Sequence, residues 1–506
     1  DHTIDWLNEW PCIRNYGLGT KLPWDDDFVI EPLSDSTIYM AYYTIAHRLQ
    51  DVPPEAMDRE FFDTLFYGAS EAQSASNASE AQSVSDASGD DETPRAVDDP
   101  DERALELREE WDYWYPVDVR CSANDLIQNH LTFFLFHHAE LFPEPKWPEG
   151  ITIMGMGLLE GEKMSSSKGH VVLPGEAIEE YGADTVRFFL LNSAEPWQDY
   201  DWRAEEVGNT RDQLSRFWNR AQDVIDADVP DDPDRQPIDR WLLSKLQETI
   251  RETTAALDGF ETRTASQTAF YAFEEHLKWY RRRADLDRPG AAWTLREVLD
   301  TRLRLLAPFV PFMTNELYEQ LTGRPAEDAA WPEPDPDLES DAAELREQLI
   351  ERLTDDVHDI VDVTDTDPDV VRVYAAADWK YDVFETVRER ATRTTADGDE
   401  SGDRETSIDV GAVMSEVMQD PDLRERGNAV NDLVQDLVEL VRERDDETLA
   451  AMADVDERAV YESAAAFLER EFDADVEVYA EDGEDVVDPA SKAGQAVPFR
   501  PAVHLE

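Results

Sequence analysis

Apolar residues keep helical spacing through the middle of this chain and strand spacing on either side of it. Leu242, Leu246, Ile250 and Leu257 recur at intervals of four and seven, and Leu295, Leu299, Leu303 and Leu306 repeat the theme. Such intervals stack side chains on one face of a helix. Pro308 and Pro311 then close one helix and start another, because proline lacks the amide a helix interior uses but fits a first turn. The pattern predicts an all-α bundle over residues 205–330. Upstream, Ile151-Thr152-Ile153-Met154-Gly155 reads as a short buried strand ending in glycine, and Gly182 to Arg187 open the apolar run Phe188-Phe189-Leu190-Leu191. Downstream, Val371-Arg372-Val373-Tyr374 and Val476-Glu477-Val478-Tyr479 alternate as half-buried strands, and Leu433 to Val441 form an amphipathic helix. Residues 346–506 are therefore expected to build a small α+β domain. The proline- and acid-rich Pro332 to Pro336 predict a linker over 331–345.

Residues 1–204 carry mixed, aromatic-rich α/β sequence, interrupted over 69–101 by a polar stretch. There Ser-Glu-Ala-Gln-Ser occurs at 70–74 and again at 79–83, with no apolar face to bury, which predicts a disordered acidic insertion.

Charge changes the picture more than length does. The 506 residues include 116 acidic and 46 basic side chains, a formal charge of -70. Self-repulsion on that scale opposes a compact state, and molar salt, with a screening length of about 3 Å, relieves it. Hydrophobic residues at 41% and aromatics at 10% still suffice for packed cores, so a halophilic cytoplasmic protein is expected. Phosphate contacts in so acidic a chain have to come from local basic clusters. Cys12 and Cys121 are the only cysteines, which supports neither a disulfide framework nor a thiolate zinc site. His130, His137 and His138 fall seven and eight apart on one predicted helix, so two could share a face; a metal site wants a third ligand beside such a pair, so none is expected and helix surface or RNA-facing polarity is preferred. No apolar run approaches the roughly 18 residues needed to cross a bilayer, and no membrane partner is expected.

The most chemically legible tract is Lys163-Met164-Ser165-Ser166-Ser167-Lys168-Gly169-His170, a cationic, hydroxyl-rich loop set between apolar elements. Further tracts join it: Glu31-Pro32-Leu33-Ser34-Asp35-Ser36-Thr37-Ile38-Tyr39-Met40-Ala41-Tyr42-Tyr43, Trp114 to Arg120, Asp125 to Leu131, Trp379-Lys380-Tyr381 and Pro501-Ala502-Val503. In this order they resemble class I aminoacyl-tRNA synthetases, specifically leucyl-tRNA synthetases of the archaeal and eukaryotic type, with Lys163 to Gly169 similar to the KMSKS loop. The resemblance covers essentially the whole chain. It implies a partial Rossmann-like α/β core over 1–204, an anticodon-binding bundle over 205–330 and a tRNA-contacting α+β domain over 346–506. It also implies a leucine-tRNA ligase with leucine, ATP and tRNA-Leu as partners and Mg2+ accompanying the ATP phosphates. The family's HIGH signature and editing domain have no counterpart in these residues, so the expectation is a C-terminal portion of a longer chain, monomeric, or else a subunit paired with a separate N-terminal half. A non-catalytic tRNA-binding paralogue and a synthetase for isoleucine, valine or methionine remain the alternatives.

Carried over residue by residue, the resemblance assigns charge neutralisation on the phosphates to Lys163, Ser165, Ser166 and Lys168. It adds nucleotide contacts from Met164, Ser167, Gly155 and Asp125. The family's second loop lysine falls at Ser166, which leaves Lys168 as its candidate replacement. Ser122-Ala123-Asn124-Asp125 also departs from the family's Ser-Gly-Lys-Asp. Asp125 either accepts from ribose hydroxyls or caps the helix that follows. The resemblance offers Tyr39, Met40 and Tyr43, with Phe133, as walls of a leucine pocket, although aromatics at that spacing also build plain core. The densest basic cluster, Lys278-Trp279-Tyr280-Arg281-Arg282-Arg283, suits RNA, since arginine forks grip phosphates and aromatics stack on bases; a helix end offsetting its dipole is the other reading. Arg211, Arg216 and Arg220 extend the track, and Lys380 and Lys492 are C-terminal candidates.

Overall fold

The computed structural model describes residues 12–68, 100–164, 169–231, 233–396, 408–442 and 444–506, so most of the insertion expected over 69–101, and Ser165 to Lys168 of the loop, lie outside the described residues. The described chain forms two units, one running to Leu173 and including Ser193–Ala204, the other made of Pro174–Asn192 and Glu205 onward.

Three small sheets build the first unit. Strands β1 (Ile13–Arg14) and β2 (Lys21–Leu22) flank β3 (Asp25–Ile30) in antiparallel pairing. Strand β4 (Val119–Ala123) runs parallel to β5 (Gly150–Met154) in the register Val119 opposite Gly150 to Ala123 opposite Met154. A parallel pair needs a long crossover, and the helix Thr132–Leu141 supplies it. Strand β6 (Gly157–Leu159) lies between β7 (Glu162–Lys163) and β8 (Tyr200–Trp202). Beside them the helices Tyr39–Leu49, Arg59–Tyr67 and Pro100–Trp114 close over an aromatic core. Its centre is Trp111, fully buried, stacked on Tyr115 at 5.3 Å and edge-on to Phe66 at 5.2 Å. The Lys146 ammonium sits 4.6 Å above the Trp111 ring.

In the second unit the predicted bundle is present. The helix Pro237–Asp258 buries Leu242, Leu246 and Ile250, and Pro289–Leu306 buries Leu299, Leu303 and Leu306. The next helix, Pro311–Thr322, starts on the proline that the pattern marks. Phe188 belongs to this core, and Asp184 accepts from the Met313 amide at 2.6 Å, so the apolar run after the loop packs with the bundle. Two buried charges tie the helices together. Asp239 accepts from the Gln236 amide at 2.7 Å, the Tyr280 hydroxyl at 2.6 Å and both terminal nitrogens of Arg288 at 3.0 Å. Arg302, 3% exposed, donates to the Phe270 carbonyl at 3.1 Å inside the π-helical turn Gln267–Ala272 and pairs with Glu274 at 3.3 Å. Widening a helix by one residue leaves its carbonyls without their usual partners, and Arg302 serves one of them. Burial pushes this guanidinium down to about 10, which still leaves it charged at neutral pH.

The C-terminal layer is a three-stranded sheet with β9 (Val370–Ala375) in the middle, parallel to β10 (Asp475–Ala480) and antiparallel to β11 (Ala502–Leu505). The helices Asp341–Thr364, Asp378–Ala396, Asn428–Arg442 and Glu457–Phe472 contribute to its apolar core. Alternation predicts two half-buried strands. Strand β10 is one, whereas β9, the central strand, is buried at five of its six positions because Val371 and Val373 meet one apolar core and Tyr374 another.

Glu457, 1% exposed, holds this layer together: it accepts from the Tyr381 hydroxyl at 2.5 Å, the Tyr461 hydroxyl at 2.8 Å and the Phe499 amide at 2.6 Å. Burial raises its pKa above the ordinary glutamate range, and the three donors only partly offset that. A raised pKa means the native state holds the proton more tightly, so this stabilisation is complete below the ordinary range and is lost as pH climbs through the raised value. Thermal unfolding followed by near-ultraviolet dichroism at fixed molar salt, between about pH 5 and about pH 8, should show that loss, and Glu457→Gln should flatten it.

Candidate active site

Ligands of open parallel sheets bind beyond the carboxyl ends of the strands, and β4 and β5 both end at the predicted nucleotide residues. Asp125 lies inside the single turn Asn124–Leu126, whose cap position is Ala123. Its carboxylate is exposed and does not cap the helix, which removes that alternative. The chain then makes a π-helical turn, Ile127–Leu131, closed by the Thr132 hydroxyl donating to the Ile127 carbonyl at 2.7 Å. Just before it, the Ser122 hydroxyl is buried without a hydrogen-bond partner.

Gly155 has a steric role. A Cβ there would lie 2.0 Å from the Gln198 carbonyl oxygen, and its own amide donates to the Pro196 carbonyl at 2.7 Å. Only a bare backbone lets the end of β5 meet the segment that leads into β8.

The loop lysine is delivered by a tight hairpin. β6 and β7 are joined through Glu160 and Gly161, both in the left-handed region at φ 50° and 82°, the geometry that matches strand twist in two-residue turns. Asp201 on β8 accepts from the Gly161 amide at 2.8 Å and from Arg203 at 2.7 Å. Those two donors hold its pKa below the usual carboxylate range, so it stays an acceptor at neutral pH. Lys163 ends β7 with its side chain exposed, and Met164 follows at intermediate exposure. Beyond the loop Gly169 has φ 69°, and the His170 ring nitrogen Nε2 lies 3.0 Å from the Leu159 carbonyl. Both ends of the loop are thus fastened to β6. Sequence reading passed over Asp201 and quoted His170 at the end of the loop tract without giving it a role; the alternation Asp199-Tyr200-Asp201-Trp202 was the available signal for a strand there.

The pocket candidates divide. Met40 and Tyr43 line a cavity of about 460 Å³ together with His47, Glu110, Tyr115 and Asp118. Tyr39 stands apart from that lining: its hydroxyl accepts from Arg120 at 2.7 Å, and its ring lies 5.5 Å from Tyr43. Phe133 meets Phe136 edge-on and tilts against His137, both at 6.0 Å. The histidines expected on a helix surface turn inward. His130 and His138 are 2% and 1% exposed, and burial lowers both pKa values. His138 donates through Nδ1 to the Phe134 carbonyl at 2.7 Å, which leaves Nε2 to accept from the Tyr115 hydroxyl. His137 Nδ1 lies 2.6 Å from the Thr37 hydroxyl, which itself donates to the Ser34 carbonyl. His130 Nε2 lies 2.9 Å from the Ser36 hydroxyl, while its buried Nδ1 has no partner. The three rings therefore seat the crossover helix rather than gather at a metal, and among the described residues no group of three or more His, Cys, Asp or Glu side chains is placed to hold one. No helix among them is long and apolar enough to cross a membrane.

The basic cluster of the second unit is largely engaged. Lys278 is exposed beside Glu275 at 2.7 Å, and Arg211 is exposed 3.7 Å from Asp212. Arg281 pairs with Glu274 at 3.2 Å, Arg282 donates to Glu471 at 2.8 Å, and Arg283 lies 3.4 Å from the buried Glu347. Arg216 and Arg220 line a 320 Å³ groove with Tyr271 and Lys278. Lys380 corrects the expectation of an RNA contact: it is buried, bound to Glu481 at 2.7 Å and to the Ala496 carbonyl at 2.5 Å.

The model of the anticodon-binding domain of tRNA ligases matches residues 239–371, and that of class I tRNA synthetases (M) matches 100–218. Together they define the class: a class I tRNA synthetase core followed by an anticodon-binding bundle. Over its full length the chain is 40% identical to a leucine–tRNA ligase of Methanopyrus kandleri and 38% identical to that of Methanothermobacter thermautotrophicus, covering 49% of each. The likeness to leucine–tRNA ligases runs along the whole of this chain, which spans about half the length of the curated relatives it matches. A solved Agrobacterium radiobacter LeuRS–tRNA–LeuAMS complex aligns at 18% identity over 61% of this chain and 34% of that one, with a TM-score of 0.38.

Gly155→Ala should destabilise the first unit by ~3 kcal/mol or more, since overpacking against a fixed backbone has no flexible side chain to yield. Urea unfolding at constant salt would measure it.

Proposed function

We propose that the protein bearing this chain is a leucine–tRNA ligase. It joins leucine to ATP with release of pyrophosphate, then transfers the leucyl group to tRNA-Leu. This chain supplies the second part of the catalytic core (to residue 204), the anticodon-type bundle (205–330) and, after the linker, the C-terminal domain (346–506). The observation that carries the reading is the full-length likeness to leucine–tRNA ligases.

The chemistry places few covalent demands on the protein. The leucine carboxylate attacks the α-phosphorus, the bond to the bridging oxygen breaks, and pyrophosphate leaves with the electron pair. Catalysis is then positioning together with neutralisation of charge on the phosphate oxygens. Lys163 is the charge clamp, carried on a hairpin fixed by Asp201 and His170, with Met164, Ser165, Ser166, Ser167 and Lys168 completing the loop. Asp125 accepts from the ribose. Mg2+ accompanies the phosphates, held mainly by them and by water. Met40 and Tyr43 wall the leucine side, with Tyr39 at its edge. The outward cations Lys278, Arg211, Arg216 and Arg220 face tRNA. The environment is a salt-rich cytoplasm, and the working form is a monomer or a pair with a separate N-terminal half.

In the full-length protein, Lys163→Ala should lower leucine-dependent ATP–pyrophosphate exchange roughly 100-fold with the fold intact, the cost of one transition-state charge contact. Exchange at background level in the wild type would instead support the non-catalytic tRNA-binding paralogue, and exchange with another amino acid would reassign the substrate.

A further inference from the structure

The run from Lys278 to Arg283 is the most basic in the chain, yet most of it faces protein. Trp279 packs against both the bundle core and the C-terminal core, and its indole N–H donates to Glu347 at 3.2 Å. Arg282 binds Glu471 through two nitrogens, with its guanidinium 5.6 Å over the Trp279 ring. Arg283, 13% exposed, pairs with the 2% exposed Glu347 and lies 5.4 Å over the Phe467 ring, which meets Trp279 edge-on at 5.7 Å. Glu347 belongs to the helix Asp341–Thr364, and Phe467 and Glu471 to the helix Glu457–Phe472. The last turn of Phe273–Arg283 thus grips two helices that build the C-terminal core.

The groups sort by their surroundings. Trp279 and Arg283 are packed, so cutting them back would leave a cavity or an unpaired buried carboxylate. Arg282 and Glu471 stand at the rim, 42% and 20% exposed, where a charge swap is tolerable without loss of the core. Other titratable groups face this pair: His358 lies 3.7 Å from Glu471 and edge-on to Phe472, and the carboxylates of Glu351 and Asp355 act on Arg282 from the helix Asp341–Thr364.

We propose that Trp279, Arg282 and Arg283 are positioning residues that lock the C-terminal domain to the helical bundle, so that one RNA meets both at a fixed spacing. The proposal rests on the tRNA reading above. It replaces direct phosphate contact as the role of these two arginines and leaves Lys278 as the outward cation of the run.

The test is a charge swap in the full-length protein, read by tRNA-Leu aminoacylation and ATP–pyrophosphate exchange in working salt. Arg282→Glu and Glu471→Arg should each raise KM for tRNA about 10-fold while leaving exchange within about twofold. The double variant should recover most of the loss, and Arg282→Lys should retain most of the function. If Arg282 gripped a phosphate instead, Glu471→Arg would leave tRNA binding unchanged or improve it, and the swap would stay as poor as Arg282→Glu. Either of those results, or no effect from any variant, overturns the proposal. Small-angle scattering of the same proteins adds a readout independent of activity: the single variants should show an enlarged radius of gyration that the swap reverses. Absent exchange in the wild type would count against the ligase reading alone, because scattering and tRNA binding would still report on the joint.

Discussion

A carboxylate excess of 70 charges constrains everything else in this chain. Cations are scarce, and where the fold buries one it is bound to an internal acceptor. Arg288 closes on Asp239, Arg302 on Glu274 and a helical carbonyl, Arg283 on Glu347, and Lys380 on Glu481. Buried ion pairs gain little net stability over apolar packing, but losing one partner strands the other at high cost. The result is a set of ties that fix which helix meets which, while the surplus carboxylates remain toward solvent where salt can screen them.

That economy bears on the proposed function. A protein that handles a polyanion needs positive charge in reach, and in this chain most of the obvious basic run is committed to joining the bundle to the C-terminal layer. What remains outward is a sparse set on and beside the groove lined by Arg216, Arg220, Tyr271 and Lys278. Binding that relies on few phosphate contacts has a shallow salt dependence, which is compatible with working in concentrated salt. The loop lysine follows the same logic: Lys163 is exposed, and the hairpin beneath it is set by Asp201, whose carboxylate binds a backbone amide and Arg203.

Helical periodicity over Pro237–Asp258 and Pro289–Leu306, with prolines at the junction, was enough to find the bundle, because spacing alone decides which face of a helix is apolar. Strand β9 was legible as a strand but not as the central one. Burial of both faces depends on Val371 and Val373 meeting one apolar core and Tyr374 another, and both neighbouring strands lie more than 100 residues away, which no local pattern encodes. The loop and the end of β4 offered candidate chemistry in the sequence, since lysine, serine and aspartate bring their charge or hydroxyl wherever the fold places them. His130 and His138 were misjudged because a histidine on a helix is polar by type, and only the packing of Ser36 and Tyr115 against them makes them interior, while His137 is half-buried against Thr37.

Sequence by itself determined the order of the parts, the helical bundle, the cationic loop and the excess of negative charge, all of which are local or summed properties of the chain. Tertiary structure alone decided that Gly155 is a point of backbone contact, that Asp125 is not a cap, and that Arg282 and Arg283 are joints. The glycine and the two arginines turn on partners distant in sequence, and the aspartate on where its turn begins. A charged side chain reads the same in one dimension whether it meets solvent, a ligand or a carboxylate 189 residues away, and only the fold supplies the partner that settles which.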